Sequence, residues 1–355
     1  MTMSPFRTCL PYLALVLASA CVTPFEEVAN VPQGQASEPQ EEPGPTPADF
    51  DPYFVESEGL PRPKGPEVIT RNVLQDSSGG IWLATWHGLM RFDGTTFTNV
   101  TKEEGLRPFR CFCLFEDRDA NVWIGTVGAG VMRYDGERYT NFTTKDGLVD
   151  DVVLSIHQDR TGNLWFGGLG LTKFDGETFT TFSEADGFTD LDVNSISEAE
   201  DGTLWFGTRS ALFRYDGERF TNFTDEQSLS IVGYIPTVID RRGDLWFGGQ
   251  NGIYHFDGES LRHPFPSSSY SMMEDSQGHI WFSGGVLRNA GSEPGTSVLN
   301  RFDPAAGIEN LVVEREQFVI WNGAIFGLTE DRDGSLWIGT GGGVARIADE
   351  RVHHY

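Results

Sequence analysis

The sequence predicts an all-β protein, a seven-bladed β-propeller of four-stranded antiparallel blades, on three observations. A unit of about 41 residues recurs seven times, marked by Trp82, Trp123, Trp165, Trp205, Trp246, Trp281 and Trp337 at spacings of 41, 42, 40, 41, 35 and 56 residues. Within each unit, short runs of β-branched and aromatic residues alternate with turns bearing Gly and Asp, as short strands do. The 42 glycines and 18 prolines are a turn-rich composition that favours strands over helices. Four strands per unit, seven times over, is the arithmetic of a propeller.

Each unit opens on an apolar stretch such as "DVVLSI" (Asp151–Ile156) or "VNSIS" (Val193–Ser197). An Asp-x-x-Gly turn follows, at Asp159–Gly162, Asp240–Gly243, Asp275–Gly278 and Asp331–Gly334. There the Asp side chain can accept backbone N–H groups while Gly takes the left-handed position. Next comes the Trp strand, as in "IWLAT" or "LWFGG", then a Gly-rich turn and a third strand such as "LMRFDG" or "LFRYDG". The pairs Asp93-Gly94, Asp135-Gly136, Asp175-Gly176, Asp216-Gly217 and Asp257-Gly258 predict tight hairpins with both central residues at positive φ. A last strand, such as "TFTNV" or "RFTNF", completes the unit. The Trp ring is expected between neighbouring blades, where losing one costs on the order of 3–5 kcal/mol. The last two spacings together come close to two periods, so the sixth unit is distorted and not missing. Nothing in the repeats sustains a 3.6-residue period, and Asp never follows the Trp, so neither a helical solenoid nor the Trp-Asp repeat applies.

The ends of the repeat region bear on ring closure. "ERVHHY" aligns with "ERYTNF" at Glu137–Phe142, so the seventh blade owns its outer strand. "FVESEGL" (Phe54–Leu60) aligns with "FTTKDGL" (Phe142–Leu148), which puts Phe54 and Tyr355 in one register at the seam.

With 355 residues, a formal net charge of −26 and four Lys against 22 Arg, the chain is a poor electrostatic match for nucleic acid or an anionic membrane. Residues 1–20 are laid out as a secretory signal, with Arg7 ahead of the short apolar "CLPYLALVLASA". "LASAC" resembles a bacterial lipoprotein lipobox, with Leu17 one place further from the Cys than usual and Ala18 in its slot. That resemblance implies lipidation of Cys21; ordinary secretion with a free Cys21 is the alternative. Val22 after the Cys is similar to the pattern of outer-membrane lipoproteins. Residues 21–52 are rich in Pro, Glu and Gln and read as a disordered tether, leaving 53–355 as the propeller. No later apolar run is long enough to cross a bilayer. Cys111 and Cys113 on one strand lie roughly 6.5–7 Å apart, too far for an unstrained disulfide, and are expected as small buried thiols.

The consensus "IxQDRxGxLWFGTxxGLxRFDGxxFxxFTxxDGL" resembles the two-component regulator propeller repeat over roughly residues 54–355. The resemblance implies an extracellular ligand-sensing propeller, which in that family is joined to a membrane span and a histidine kinase. The sequence read here stops at Tyr355 without span, kinase or immunoglobulin-like connector, so a stand-alone, lipid-anchored propeller is expected.

The Asp-bearing turns are nearly uniform from blade to blade and read as scaffold. The loops after the Trp strand vary ("TWHG", "TVGAG", "GLG", "TRSA", "GQNG", "SGG", "TGGG"), and binding favours varied loops on a rigid frame. They supply Trp86, His87, Arg209, Gln250 and Asn251 as candidate ligand-binding residues; the loops between blades add Arg107, Arg110, Asp151, Asp192 and Tyr234. "DRDANVW" and "DRDGSLW" begin like calcium loops but lack the distal Glu, so turn capping is expected. The cation repeated on the third strand (Arg91, Arg133, Lys173, Arg214, His255, Arg301, Arg346) is expected to pair with nearby acids. His353 and His354 are expected in solvent. No cofactor or metal is called for. The reading is a non-enzymatic, monomeric propeller of the cell envelope, at the outer membrane or periplasmic face, binding a small molecule, glycan or envelope protein. The alternative is a metal-dependent lyase resembling the streptogramin lyases, with His87 or His157 beside a loop carboxylate.

Overall fold

A computed structural model describes residues 68–106, 109–266, 268–284, 298–307, 314–315, 324–349 and 351–355. The chain divides into two units, Met1–Thr46 and Pro47–Tyr355, and every described residue lies in the second. The signal segment, Cys21, the tether, Phe54 and Arg107 therefore lie outside the described residues.

Each repeat folds as one four-stranded antiparallel sheet whose strands neighbour one another in chain order, giving seven such sheets. In blade two the strands are Arg110–Glu116, Val122–Val127, Val131–Tyr134 and Tyr139–Phe142. The first strands are the innermost: Thr70–Gln75, Arg110–Glu116, Val153–Gln158, Ser195–Glu198, Thr237–Ile239, Ser269–Glu274 and Ile325–Glu330. Each lies against the next, and the last lies against the first, so the ring is closed. The 56-residue spacing resolves as a longer link in blade six between Ile280–Gly284 and Val298–Phe302, and the 35-residue spacing as a short link between Leu261–Phe265 and Ser269–Glu274.

The repeated Trp and Asp act as a pair. In six blades the indole N–H donates to the Asp six residues earlier, at 2.6–3.0 Å: Trp82–Asp76, Trp123–Asp117, Trp165–Asp159, Trp246–Asp240, Trp281–Asp275 and Trp337–Asp331. The other carboxylate oxygen caps the turn; Asp159 accepts the backbone N–H of Thr161 and Asn163. Asp117 and Asp331 cap in the same way, as expected for turns and not calcium loops. The ring itself is buried in the next blade, Trp165 among Phe188, Leu204, Phe206, Phe213 and Phe220.

A second device joins the blades. The residue after each Asp donates its backbone N–H to the side chain that ends the next blade's innermost strand. The pairs are Ser77–Glu116, Arg118–Gln158, Arg160–Glu198, Arg241–Glu274 and Ser276–Glu330, at 2.6–3.0 Å. Arg332–Gln75 at 2.8 Å repeats it across the closure. Blade four departs on both counts. Ala199 stands where the Asp should be, and Ile239 replaces the acceptor on blade five. Arg214, without that Asp beside it, pairs with Glu226 at 3.2 Å. His255 likewise meets Asp244 at 2.8 Å, and the other equivalent cations lie over the Trp faces, Arg91 at 5.0 Å and Arg346 at 5.3 Å from the ring centres. Arg346 also meets Asp331 at 3.0 Å.

The Asp-Gly hairpins form, but not as two-residue turns with both residues left-handed. Phe92 pairs with Phe97, so the loop has four residues, and of Asp93 and Gly94 only Gly94 has positive φ. Asp93 holds the loop by accepting the N–H groups of Thr95 and Thr96 at 2.8 and 2.7 Å. An Asx-type cap removes the need for a second left-handed residue.

Tyr355 occupies the seam as its register requires. It exchanges backbone bonds with Val344 and packs on Trp337, Phe92 and Phe97. Phe142 does the same against Trp123, Phe174 and Phe179 within the ring. Cys111 is buried and Cys113 half-buried, both free thiols; desolvation pushes Cys113 up to about 12. His353 and His354 are exposed.

Candidate ligand-binding site

The innermost strands begin with an irregularity that decides what faces the middle of the ring. In blade one Thr70 pairs with Thr85 and Asn72 with Ala84, leaving Arg71 as the extra residue of a bulge. Phe112, Leu154 and Phe326 are the extra residues of blades two, three and seven. In blade six the pairing jumps from Ser269 to Met272 and frees Tyr270 and Ser271. Arg71, Phe112, Leu154, Tyr270 and Phe326 each stand eleven residues before their Trp, as does Asn194 in blade four. A bulge re-aims the side chain it frees.

Arg71, Phe112, Asn194, Tyr270 and Phe326, with Tyr234 and Pro236, line a cavity of about 430 Å³ to which six of the seven blades contribute. It lies at the end of the inner strands where the varied loops begin: Thr70 pairs with Thr85, and Trp86 donates its backbone N–H to Ile69 at 3.0 Å. Ser195, Thr237 and Ser271 add hydroxyls to an otherwise aromatic wall. The size and the mixture of aromatic surface with a few polar groups suit a small-molecule site.

Arg71 is the charged member. Its guanidinium carbon sits 4.0 Å from the ring centre of Phe112 and 4.3 Å from that of Phe326, a cation held between two aromatic rings. Burial pushes the guanidinium down to about 10, with Tyr234 acting in the opposite sense, so it stays cationic at neutral pH. Among the described residues no carboxylate bonds to it or forms an ion pair with it.

Ten residues are expected from the sequence, and of the nine that are described Tyr234 alone lines the cavity. Arg209 and Asp192 stand beside it: the Arg209 guanidinium is 3.9 Å from the Asp192 carboxylate and 5.9 Å from the Tyr234 ring. Burial raises the Asp192 carboxyl above its ordinary value, Arg209 opposing and Asp190 adding. Arg110 lies over the Trp86 ring at 4.6 Å, a separate pair on blades one and two. Gln250 donates its backbone N–H to Val232, and the Asn251 amide donates to the Ser230 carbonyl, so both brace the loop that carries Tyr234. Asp151 is engaged in the scaffold, its carboxylate accepting the Thr144 N–H at 2.7 Å and its carbonyl taking Gly128 and Gly130. The His87 carbonyl accepts from Asn99 at 3.0 Å.

Loop reasoning missed Arg71, Phe112, Asn194, Tyr270 and Phe326, which belong to the inner strands. A signal existed: the position eleven before each Trp reads Arg, Phe, Leu, Asn, Ile, Tyr, Phe, as irregular as any loop. Of the two histidines named for the lyase alternative, His157 has a carboxylate neighbour in Glu198, which belongs to an innermost strand and not to a loop. His87 follows the Trp strand of blade one, whereas His157 pairs with Trp165 near the opposite, Asp-bearing end of blade three, 3.5 Å from Glu198. Among the described residues no group of three or more His, Cys, Asp or Glu is placed to hold a metal.

The family model described as "two component regulator propeller" matches residues 147–170, 187–210 and 320–342. No curated protein matches the sequence. Among solved structures, the chain is similar to the extracellular domain of a protein assigned as the hybrid two component system BT3049 of B. thetaiotaomicron. That match has TM-score 0.65 and 20% identity and covers 79% of this chain and 40% of the other. The extracellular domain of BT4673 from the same organism, assigned as a one component system, matches at TM-score 0.63 and 19% identity over 84% of this chain and 40% of that one. The chain thus spans about two fifths of each. A streptogramin B lyase matches at TM-score 0.60 and 16% identity, with 82% and 95% covered. At these identities the likeness is one of fold. The repeats and the ring they close agree: the chain is a seven-bladed propeller, three stretches of which match the two-component regulator propeller model.

Proposed function

We propose that the chain is a non-enzymatic, extracytoplasmic ligand-binding propeller, a sensor or scaffold tethered to the cell envelope by lipid at Cys21, and that its site is the axial cavity. The observation that carries this reading is the convergence of Arg71, Phe112, Tyr234, Tyr270 and Phe326 on one 430 Å³ cavity from separate blades. Asp192 and Arg209 flank Tyr234 and extend the polar rim. The fold shared with extracellular domains of sensor systems supports an extracytoplasmic role. Among the described residues no helix is long and apolar enough to cross a membrane.

A thermal-shift screen of the full chain with sugars, peptides, organic acids and divalent metals tests the reading. The expected result is stabilisation by one ligand class that Tyr270→Ala weakens without lowering the melting temperature of the free protein. A magnesium-dependent response abolished by His87→Ala would instead support the lyase. Labelling with palmitate in a bacterial host, lost in Cys21→Ala, tests the anchor; unchanged membrane association of that variant overturns it.

A further inference from the structure

We infer that the axial cavity selects an organic anion, a carboxylate or sulfonate carried on a flat apolar body, with the acid group placed against Arg71. The inference rests on the cavity being the ligand site, and it adds the chemical class.

Three observations converge on it. The guanidinium of Arg71 is fixed from both sides by Phe112 and Phe326, so its orientation is set before any ligand arrives. Its positive charge is desolvated on those faces, and among the described residues no carboxylate neutralises it. Several other cations in this acidic chain are matched by acids: Arg160 by Glu198, Arg241 by Glu274, Arg242 by Asp240, Arg346 by Asp331. Arg71 is half-buried, and a cation partly withdrawn from water without a counter-ion carries a desolvation cost that an anion entering the cavity offsets. The planar guanidinium edge suits two acid oxygens, and its aromatic flanks leave only that edge for the ligand. Tyr234 and Tyr270, both partly exposed and lining the same cavity, offer flat surfaces for the ligand body.

Two dyes separate the anion claim from the cavity claim. 8-Anilino-1-naphthalenesulfonate carries a sulfonate; N-phenyl-1-naphthylamine has the same rings without it. Both are titrated by fluorescence against the full chain and against Arg71→Met and Tyr270→Ala. The expected result is one sulfonate site per chain, weakened at least tenfold in Arg71→Met, while the neutral dye binds both proteins alike. That retained binding also reports that the variant is folded. Arg71→Lys, which keeps the charge but not the planar fork, should fall between. Equal sulfonate affinity in wild type and Arg71→Met, with both dyes weakened by Tyr270→Ala, overturns the anion inference and leaves the cavity standing. Dye binding that none of the variants alters overturns both.

Discussion

Glu198, the last residue of the innermost strand of blade four, accepts the backbone N–H of Arg160 at 2.9 Å and its guanidinium Nε at 3.0 Å. One side chain thereby ties the Asp turn of blade three to the core of blade four. Replacing it removes a charge-assisted pair and strands a backbone donor. Glu198→Ala should destabilise the protein by about 1–2 kcal/mol, and Glu198→Gln should recover part of that. Paired thermal melts would check it; equal melting temperatures for wild type and Glu198→Ala would contradict the clamp.

The junction between blades four and five lacks both repeated devices, because Ala199 offers no carboxylate to Trp205 and Ile239 offers no acceptor. Ala199→Asp should rebuild the missing bond to the Trp205 indole and stabilise the fold by about 1 kcal/mol. The same substitution should draw Arg214 away from Glu226. Denaturation midpoints measure the first effect and a crystal structure of the variant the second. A lowered midpoint would mean that the blade-four turn differs from the other six.

Blades also approach where Gly permits it. A Cβ on Gly207 would lie 2.0 Å from the Ile235 carbonyl oxygen and 2.3 Å from Ser195 Oγ. The backbone of Ile235 cannot retreat without opening the blade four–five contact. Gly207→Ala should therefore cost roughly 2–3 kcal/mol, read as a fall in melting temperature.

Ala120 holds the left-handed position that Gly fills in the other Asp turns, at φ 62. Ala120→Gly relieves the clash of Cβ with the backbone but gives up some restriction of the unfolded chain. The net expectation is a gain of about 0.5–1 kcal/mol in stability, measurable by denaturant titration.

Acid should unfold the protein through the Trp-paired carboxylates. Burial opposes ionisation of Asp76, Asp159, Asp240 and Asp275, yet hydrogen bonds from Trp and the turn overcome it and hold each below the ordinary value. Groups with depressed folded pKa bind fewer protons folded than unfolded. Their stabilisation is complete above the unfolded value, about 4, and is lost as pH falls through the lower folded values. Melting temperature should be level in this respect from pH 7 to about 5 and drop below about pH 4. Asp240→Asn should flatten that drop.

The repeat, its seven copies, the strand order and the Trp-centred packing were legible in the sequence because each blade is local. Four strands, two Asp-bearing turns and a Trp are all written within about 41 residues. Tyr355 could be placed at the seam for the same reason, since its register repeats that of Phe142. The site was not legible in that way. Loop variation pointed to the end of the ring where the cavity lies and to Tyr234, but Arg71, Phe112, Tyr270 and Phe326 lie in strands that read as scaffold. What turns them inward is a bulge in the innermost strands of blades one, two, six and seven. What brings them together is closure, which sets strands far apart in the chain around a common axis. Sequence alone determined the blades, because their contacts are short-range. Only the tertiary structure decided the cavity, because the guanidinium of Arg71 meets Phe326 across 255 residues of chain and only a closed ring shortens that to 4.3 Å.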